Sequence, residues 1–432
     1  MRIAWLSPFP PTRSGIAVYS ADALPRLAAA HQIDCFPESC ASEFAWRARR
    51  DPYDLVVYQL GNAPCHDYMW AYLAAHPGLV VLHDARLHQA RARSLLQQRR
   101  YDDYRNEFRY DHPDAPRDVA EFAVEGLGGP LYYFWSMLRV VMQSARMVAV
   151  HSPRVAADLR REFPAAAIET IRLGTAPVDA DAGARARVRK ALGVPDEAVL
   201  FAAFGKITNE KRIDTIVRSF DRLARDRADV HLMLAGDATD CPTLGALLAA
   251  SPHGARVHVT GYVPDTGVAG YLAAADACLC LRWPTALETS ASWLQCLAAS
   301  RPTVLSALAH LADIPTVEPI AWRPSHPAIE PVAISIDLLN EDEALLSAMG
   351  RLADDLACRQ QLGRAGSAYW TAHHTVDAMT SDYERVLARA IRQPAPTGEG
   401  LPAHFVEDYS GKARAIADAF GIGLDQMLGP RP

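Results

Sequence analysis

Apolar residues fall along the chain in two alternating rhythms: short unbroken runs, and longer stretches whose apolar positions return at helical spacing. Ile3-Ala4-Trp5-Leu6-Ser7 is the first run, with prolines just beyond it, and reads as a buried strand. Residues 16–30 carry a helical pattern. Further buried runs occupy residues 54–59, 79–82, 146–150 and 168–173. The pattern loosens over residues 174–183, where Gly, Pro, Ala and Asp mark a linker. A second series then predicts strands at 199–204, 230–235, 257–260, 277–281 and 303–305. Strands alternating with helices imply parallel sheets covered on both faces.

Two doubly wound α/β domains follow from this pattern, over residues 1–175 and 184–375. Beyond them, residues 393–432 form a tail. Its Pro- and Gly-rich start, residues 393–403, reads as a flexible connection, and residues 412–428 as a small appended helix. Ligands of doubly wound sheets bind outside the carboxyl ends of the strands, so chemistry is sought just after each one.

Composition narrows the class. Of 432 residues 50% are hydrophobic and 22% charged, a globular balance that excludes global disorder. A net charge of −6 argues against a nucleic-acid binder, which needs a basic face. No run reaches the ~18 apolar residues of a membrane span. Pro8, Pro10 and Pro11 cut short the apolar start, so no secretory signal is expected. Eight cysteines without a CxxC pair predict neither disulfides nor structural zinc, and hence a cytoplasmic protein.

Five strand ends carry candidate chemistry. The first is the loop before Ser14-Gly15-Ile16, where a glycine at a helix start lets backbone N–H groups approach a phosphate. His83 and Asp84 follow the 79–82 strand, and His151 the 146–150 strand. After residue 204 come Gly205-Lys206 and then Lys211-Arg212. Cations at a helix start oppose its dipole, which a sequence tolerates where an anion such as a diphosphate binds among them. Last, Arg282 leads to Glu288-Thr289-Ser290-Ala291-Ser292, a carboxylate followed by small capping residues. Asp179 and Asp181 mimic a metal-binding pair but lie in the linker, and no metal is expected. Residues 86–109 interleave arginines with Tyr101, Tyr104 and Phe108, and residues 131–138 are apolar and aromatic. They read as a solvated charged helix beside a core helix, with a lipid-facing surface as the alternative.

These sites, in this order, resemble the retaining family-4 glycosyltransferases of the GT-B fold over roughly residues 1–390. FGKITNEKRID looks like the family's G-R-x4-K-G segment, and LRWPTALETSASWLQCLAASRPTVLS like its E-x7-E segment. The turn Gly261-Tyr262-Val263 looks like the one beside the nucleotide base, and His83 matches the histidine near the donor sugar. The chain departs from the pattern at several points. Lys206 replaces an arginine, Arg212 a glycine, and Ser14 the first of two glycines. Cys296 stands where the second glutamate, which holds the ribose, usually falls.

The resemblance implies two Rossmann-like domains facing across a cleft, with a C-terminal helix at about 376–392 returning to the first. It implies sugar transfer from a UDP-, GDP- or ADP-sugar to a glycan or lipid-linked acceptor, without metal or cofactor. Lys206 and Lys211 would stabilise the departing diphosphate, and Glu288 and His83 would orient the sugar. Gly15, Gly205, Arg212, Gly261, Tyr262, Val263, Thr289, Ser290, Ala291 and Ser292 would line the donor site. Peripheral contact with the inner membrane face fits the arginine–aromatic segment; no nucleic-acid partner is expected. A sugar-nucleotide epimerase, or a non-catalytic homologue given Cys296, are the alternatives.

Overall fold

The computed structural model describes residues 1–407 and 411–422. The first domain is built on strands β1 (Arg2–Leu6), β2 (Gln32–Phe36), β3 (Leu55–Leu60), β4 (Leu79–Leu82), β5 (Met147–Val150) and β6 (Ile168–Thr170). They form one parallel sheet in the order β2-β1-β3-β4-β5-β6. β3, β4 and β5 are buried at every position, as central parallel strands covered on both faces must be. The register stacks Val57 on Leu79 and Leu79 on Met147.

The second domain carries β7 (Val199–Phe204), β8 (Val230–Ala235), β9 (Val257–Gly261), β10 (Ala277–Cys280), β11 (Thr303–Ser306), β12 (Thr316–Glu318), β13 (Arg323–Pro324) and β14 (Ala333–Ile336). The order is β13-β12-β14-β11-β10-β7-β8-β9, with only the β12–β13 pair antiparallel. β2, β12, β13 and β14 were not among the predicted strands. β2 is an edge strand with a mixed burial pattern, and β12 and β13 are only three and two residues long.

The chain crosses between the domains twice, side by side. Thr175 N–H donates to the His374 carbonyl at 2.9 Å, and Trp370 Nε1 donates to Thr175 Oγ1 at 2.9 Å. A Cβ on Gly174 would lie 2.4 Å from the Thr375 carbonyl oxygen, so only glycine lets the crossings touch. After the second crossing, helix Val376–Ala390 packs on the first domain's helix Gly15–Leu27. Tyr19 OH donates to Tyr383 OH at 2.8 Å, Arg26 pairs with Asp377, and Asp382 holds Arg172 through both oxygens. In the linker, Asp181 is spent on Arg187 and the Gly183 N–H, starting helix Ala184–Leu192.

Two sequence expectations need correction. The arginine–aromatic segment is not a solvated helix. Helices His88–Gln97 and Tyr101–Asp111 pack together, burying Tyr104, Phe108 and an Arg91–Glu107 pair bonded at 2.6 and 2.8 Å. Arg93, Arg100 and Arg105 are paired with Asp67, Asp103 and Glu121. Tyr104, Phe108 and these arginines are thus used inside the domain, whereas Tyr101 and Phe134, the latter in the aromatic stretch 131–138, stay exposed. Nor is all of residues 393–403 a loose connection. Leu401 is buried in the first domain, Phe405 packs on Trp70, and His404 lies 3.2 Å from Glu107. The appended helix spans Gly411–Ala419; residues 423–428 of the predicted one lie outside the described residues. No helix among the described residues is long and apolar enough to cross a membrane.

Candidate active site

β7 ends against the start of helix Ala291–Ala298, and this junction organises the second domain's half of the cleft. Gly205 has a φ of +91°, and a Cβ there would sit 2.9 Å from Lys211 Nζ and 3.3 Å from Ser292. Only glycine brings the two together. Lys211 Nζ donates to the Phe204 carbonyl at 2.5 Å and has no ion-pair partner among the described residues. Desolvation, reinforced by the Arg282 charge, pulls its pKa down to about 7. Ser290 caps the facing helix by accepting from Trp293 N–H at 3.2 Å, and the Ser290 and Ser292 hydroxyls are 3.2 Å apart. Thr289 and Ala291 complete this half-buried helix start. Lys206, half-exposed, pairs with Asp240 at 2.5 Å. The junction therefore sets Lys211, without an ion-pair partner among the described residues, against a helix start, where an anion is favoured.

Beside it opens a cleft of about 390 Å³, with Asn62, Asp84 and Tyr133 on one wall and Lys206, Arg282 and Glu288 on the other. Glu288 is fixed by Arg282 Nε at 2.8 Å and by the Thr285 hydroxyl at 2.9 Å. The preceding Leu287 takes a φ of +62°, a strained value for leucine, and its side chain packs into the first domain's core. Ala85 N–H donates to the Ala286 carbonyl at 2.8 Å, and Tyr133 OH to Glu210 at 3.0 Å, so both walls are bridged.

Of the His83-Asp84 pair at the end of β4, Asp84 lines the cleft. Its carboxylate accepts from Asn62 N–H at 2.7 Å and faces the cleft. Burial, and then the Glu288 charge, push its pKa up to about 7. His83 points the other way. Its Nε2 lies 2.8 Å from Gln59 Oε1 and its Nδ1 3.1 Å from His151 Nε2, with Tyr19 edge-on to the ring. Both ring nitrogens are committed, and burial holds its pKa well below the usual value. These contacts tie His83 on β4 to Gln59, whose amide reaches Tyr383 of the returning helix at 2.9 Å.

The expectation for Arg212 is corrected. A φ of +57° turns it out of the cleft, and its guanidinium is gripped by Glu341 at 2.5–3.1 Å behind the loop. Cys296 is fully buried, its thiol against Cys278 and Cys280 and close to Lys211, and does not face the cleft. Gly15 begins its helix after Ser14, which accepts from Ile16 N–H at 3.2 Å; a Cβ on Gly15 would meet open space. Gly261 turns the chain at a φ of +70°, leaving Tyr262 exposed and Val263 against the core.

Residues 198–318 match the family model for glycosyl transferases group 1. This segment holds β7 to β12, the Lys206–Lys211 loop and Glu288. No curated protein matches the chain in sequence. Among solved structures, sucrose-phosphate synthase from Thermosynechococcus elongatus superposes with a TM-score of 0.62 at 17% identity, over 90% of this chain and 98% of that one. HepE from Anabaena, solved with UDP and glucose, gives 0.61 at 13% identity, over 90% and 100%. WaaG, a glycosyltransferase involved in lipopolysaccharide biosynthesis, gives 0.55 at 13%, over 89% and 99%. At such identities the likeness is one of fold, and the fold is GT-B. With its group 1 segment in the second domain of that fold, the chain is a glycosyltransferase.

Proposed function

We propose that this glycosyltransferase moves a sugar from a nucleotide-sugar donor to a hydroxyl of a carbohydrate or lipid-linked glycan, retaining the anomeric configuration, in the cytoplasm. The observation that carries the reading is Lys211, a lysine without a counter-ion among the described residues, set beside Ser290–Ser292 at a helix start. A diphosphate supplies the missing charge. Lys211, Lys206 and Arg282 then stabilise the charge that builds on the leaving oxygen as the bond from C1 of the sugar breaks. The acceptor oxygen attacks the same face, and its proton passes to that leaving oxygen. Glu288, held by Arg282 and Thr285, accepts hydrogen bonds from sugar hydroxyls and fixes the ring. No metal is assigned to the step. The solved HepE complex with UDP-glucose supports a uridine donor as the first to try.

Asp84 favours a second reading. With a pKa near neutrality it could take the acceptor's proton, which suits attack from the opposite face and inversion. NMR of the first-formed product separates the two by its anomeric configuration.

Thermal melts with UDP, GDP and ADP test the donor site. Ligand at ~100 times Kd adds ~2.7 kcal/mol to the stability of the folded state. One nucleotide should stabilise the wild type and fail to stabilise Lys211→Met; no shift with any of them would remove the donor site. Conversion of the sugar nucleotide with no acceptor present would instead reveal an epimerase.

A further inference from the structure

Glu288 sits on the loop of residues 281–290, between β10 and helix Ala291–Ala298. The second domain holds that loop at its ends. Arg282 N–H donates to Ser306 Oγ at 3.0 Å and Trp283 N–H to the Glu210 carbonyl at 2.7 Å, and Ser290 caps the helix that follows. Between these ends the Thr285 hydroxyl closes a turn. It accepts from Leu287 N–H at 2.9 Å and donates to Glu288 Oε2 at 2.9 Å. Both bonds run within the loop and fix the carboxylate to its own turn.

The middle of the loop is held from the opposite domain. Ala85 N–H reaches the Ala286 carbonyl at 2.8 Å, and next to it Leu287 packs against the first-domain cluster that contains Leu60, Leu82 and Leu87. Ala286 and Glu288, on either side of Leu287, line the cleft. A φ of +62° is costly for leucine, and glycine would make the same turn freely. What the leucine adds is its side chain, an apolar anchor in the other domain. The pattern repeats behind the loop. The His310 ring lies against the Glu288 backbone, and Ser152 Oγ of the first domain donates to the His310 carbonyl at 3.3 Å.

Resting on the nucleotide-sugar reading, we infer that Leu287 is a positioning residue for Glu288: its side chain, anchored in the first domain, sets where the second domain's carboxylate meets the donor sugar. Leu287 acts only through Glu288. The diphosphate site does not depend on it, because Lys211 and Ser292 meet at Gly205 within the second domain. The grip on the sugar and the grip on the diphosphate are therefore set separately.

Titration calorimetry of the wild type, Glu288→Ala, Leu287→Ala, Leu287→Gly, Leu287→Met and the double variant Leu287→Ala/Glu288→Ala tests this. The probes are UDP, GDP and ADP, then the glucose, mannose and N-acetylglucosamine conjugates of the nucleotide that the wild type binds. Glu288→Ala should weaken the conjugate about tenfold, the loss of a hydrogen bond to a charged group. Leu287→Ala and Leu287→Gly should match it. Leu287→Met, with an apolar chain of similar volume, should stay within about twofold of the wild type. The double variant should be no weaker than Glu288→Ala, since nothing is left to position. Affinity for the free nucleotide, which reports an intact fold and diphosphate site, should stay unchanged throughout. Full conjugate affinity in Leu287→Ala and Leu287→Gly would overturn the proposal, as would a loss that adds to that of Glu288→Ala. An equal loss for the free nucleotide would reduce Leu287 to a contact between domains. A wild type that binds a nucleotide but none of its conjugates, or a Glu288→Ala that binds them fully, would take the sugar from Glu288 and overturn the proposal, leaving the diphosphate site. A wild type that binds no nucleotide would remove the donor reading itself.

Discussion

Lys211 makes the stability of the empty protein and its affinity for nucleotide respond to pH in opposite senses. Its pKa of about 7 lies below that of an unfolded lysine, so between about 7 and 10 the unfolded chain binds more protons there. The empty protein should therefore gain stability from this group as pH rises through that window. A bound diphosphate favours the ammonium form, so above pH 7 binding must take up a proton. Nucleotide affinity should fall by up to about tenfold per pH unit over the same range. Calorimetry in two buffers of different ionisation enthalpy measures the proton uptake, and Lys211→Arg should abolish it. Cys296 is part of the cause: a carboxylate so close to Lys211 would act as its counter-ion, and a buried thiol does not.

The same scale shows what the sequence could not resolve. His83-Asp84 was legible as a pair at a strand end. Which member lines the cleft depends on a single step of side-chain alternation, and the contacts of His83 with His151 and Gln59 mark the other member, Asp84, as the lining one. Lys211-Arg212 poses the same problem. The positive φ of Arg212 leaves Lys211 at the Gly205–Ser292 junction and sends Arg212 to Glu341, and nothing in a run of two bases marks that turn.

Among the elements, the central strands were legible because burial on both faces leaves an unbroken apolar run, as in β3, β4 and β7. β14, with Ser335 between apolar neighbours, and the edge strand β2, with Asp34 at its centre, give no such run. The start of helix Ala291–Ala298 was legible through Ser290, which caps as its side chain predicts; Ser14 and Ser152 cap their helices in the same way. The junction of β7 with helix Ala291–Ala298 depends on Gly205 more than on any cap. Gly205→Ala must relieve both a left-handed φ and an approach of 2.9 Å to Lys211. It should cost about 1–3 kcal/mol in urea unfolding. Nucleotide affinity should fall alongside, because Lys211 and Ser292 are driven apart; a variant with full stability and full affinity would show that the loop relaxes freely.

For the whole molecule, the two adjacent crossings make the hinge a double strand. Residues 176, 177 and 179–182 of the linker are exposed and open to a protease. Cutting there should not separate the domains under native conditions. Helix Val376–Ala390 still anchors the second piece to the first through Tyr383, Asp382 and the buried Val386 and Leu387. Size-exclusion chromatography of the nicked protein should give a single species of unchanged size, resolving into two bands only on denaturing gels.

That returning helix also bears on the order of events during synthesis. Domains ordinarily complete their folding in the order in which they leave the ribosome. Here a wall of the first domain is encoded at residues 376–390, beyond the second domain's last strand. The first domain to emerge is therefore the last to be finished, and until that helix arrives Trp5 and Tyr19 wait without their cover.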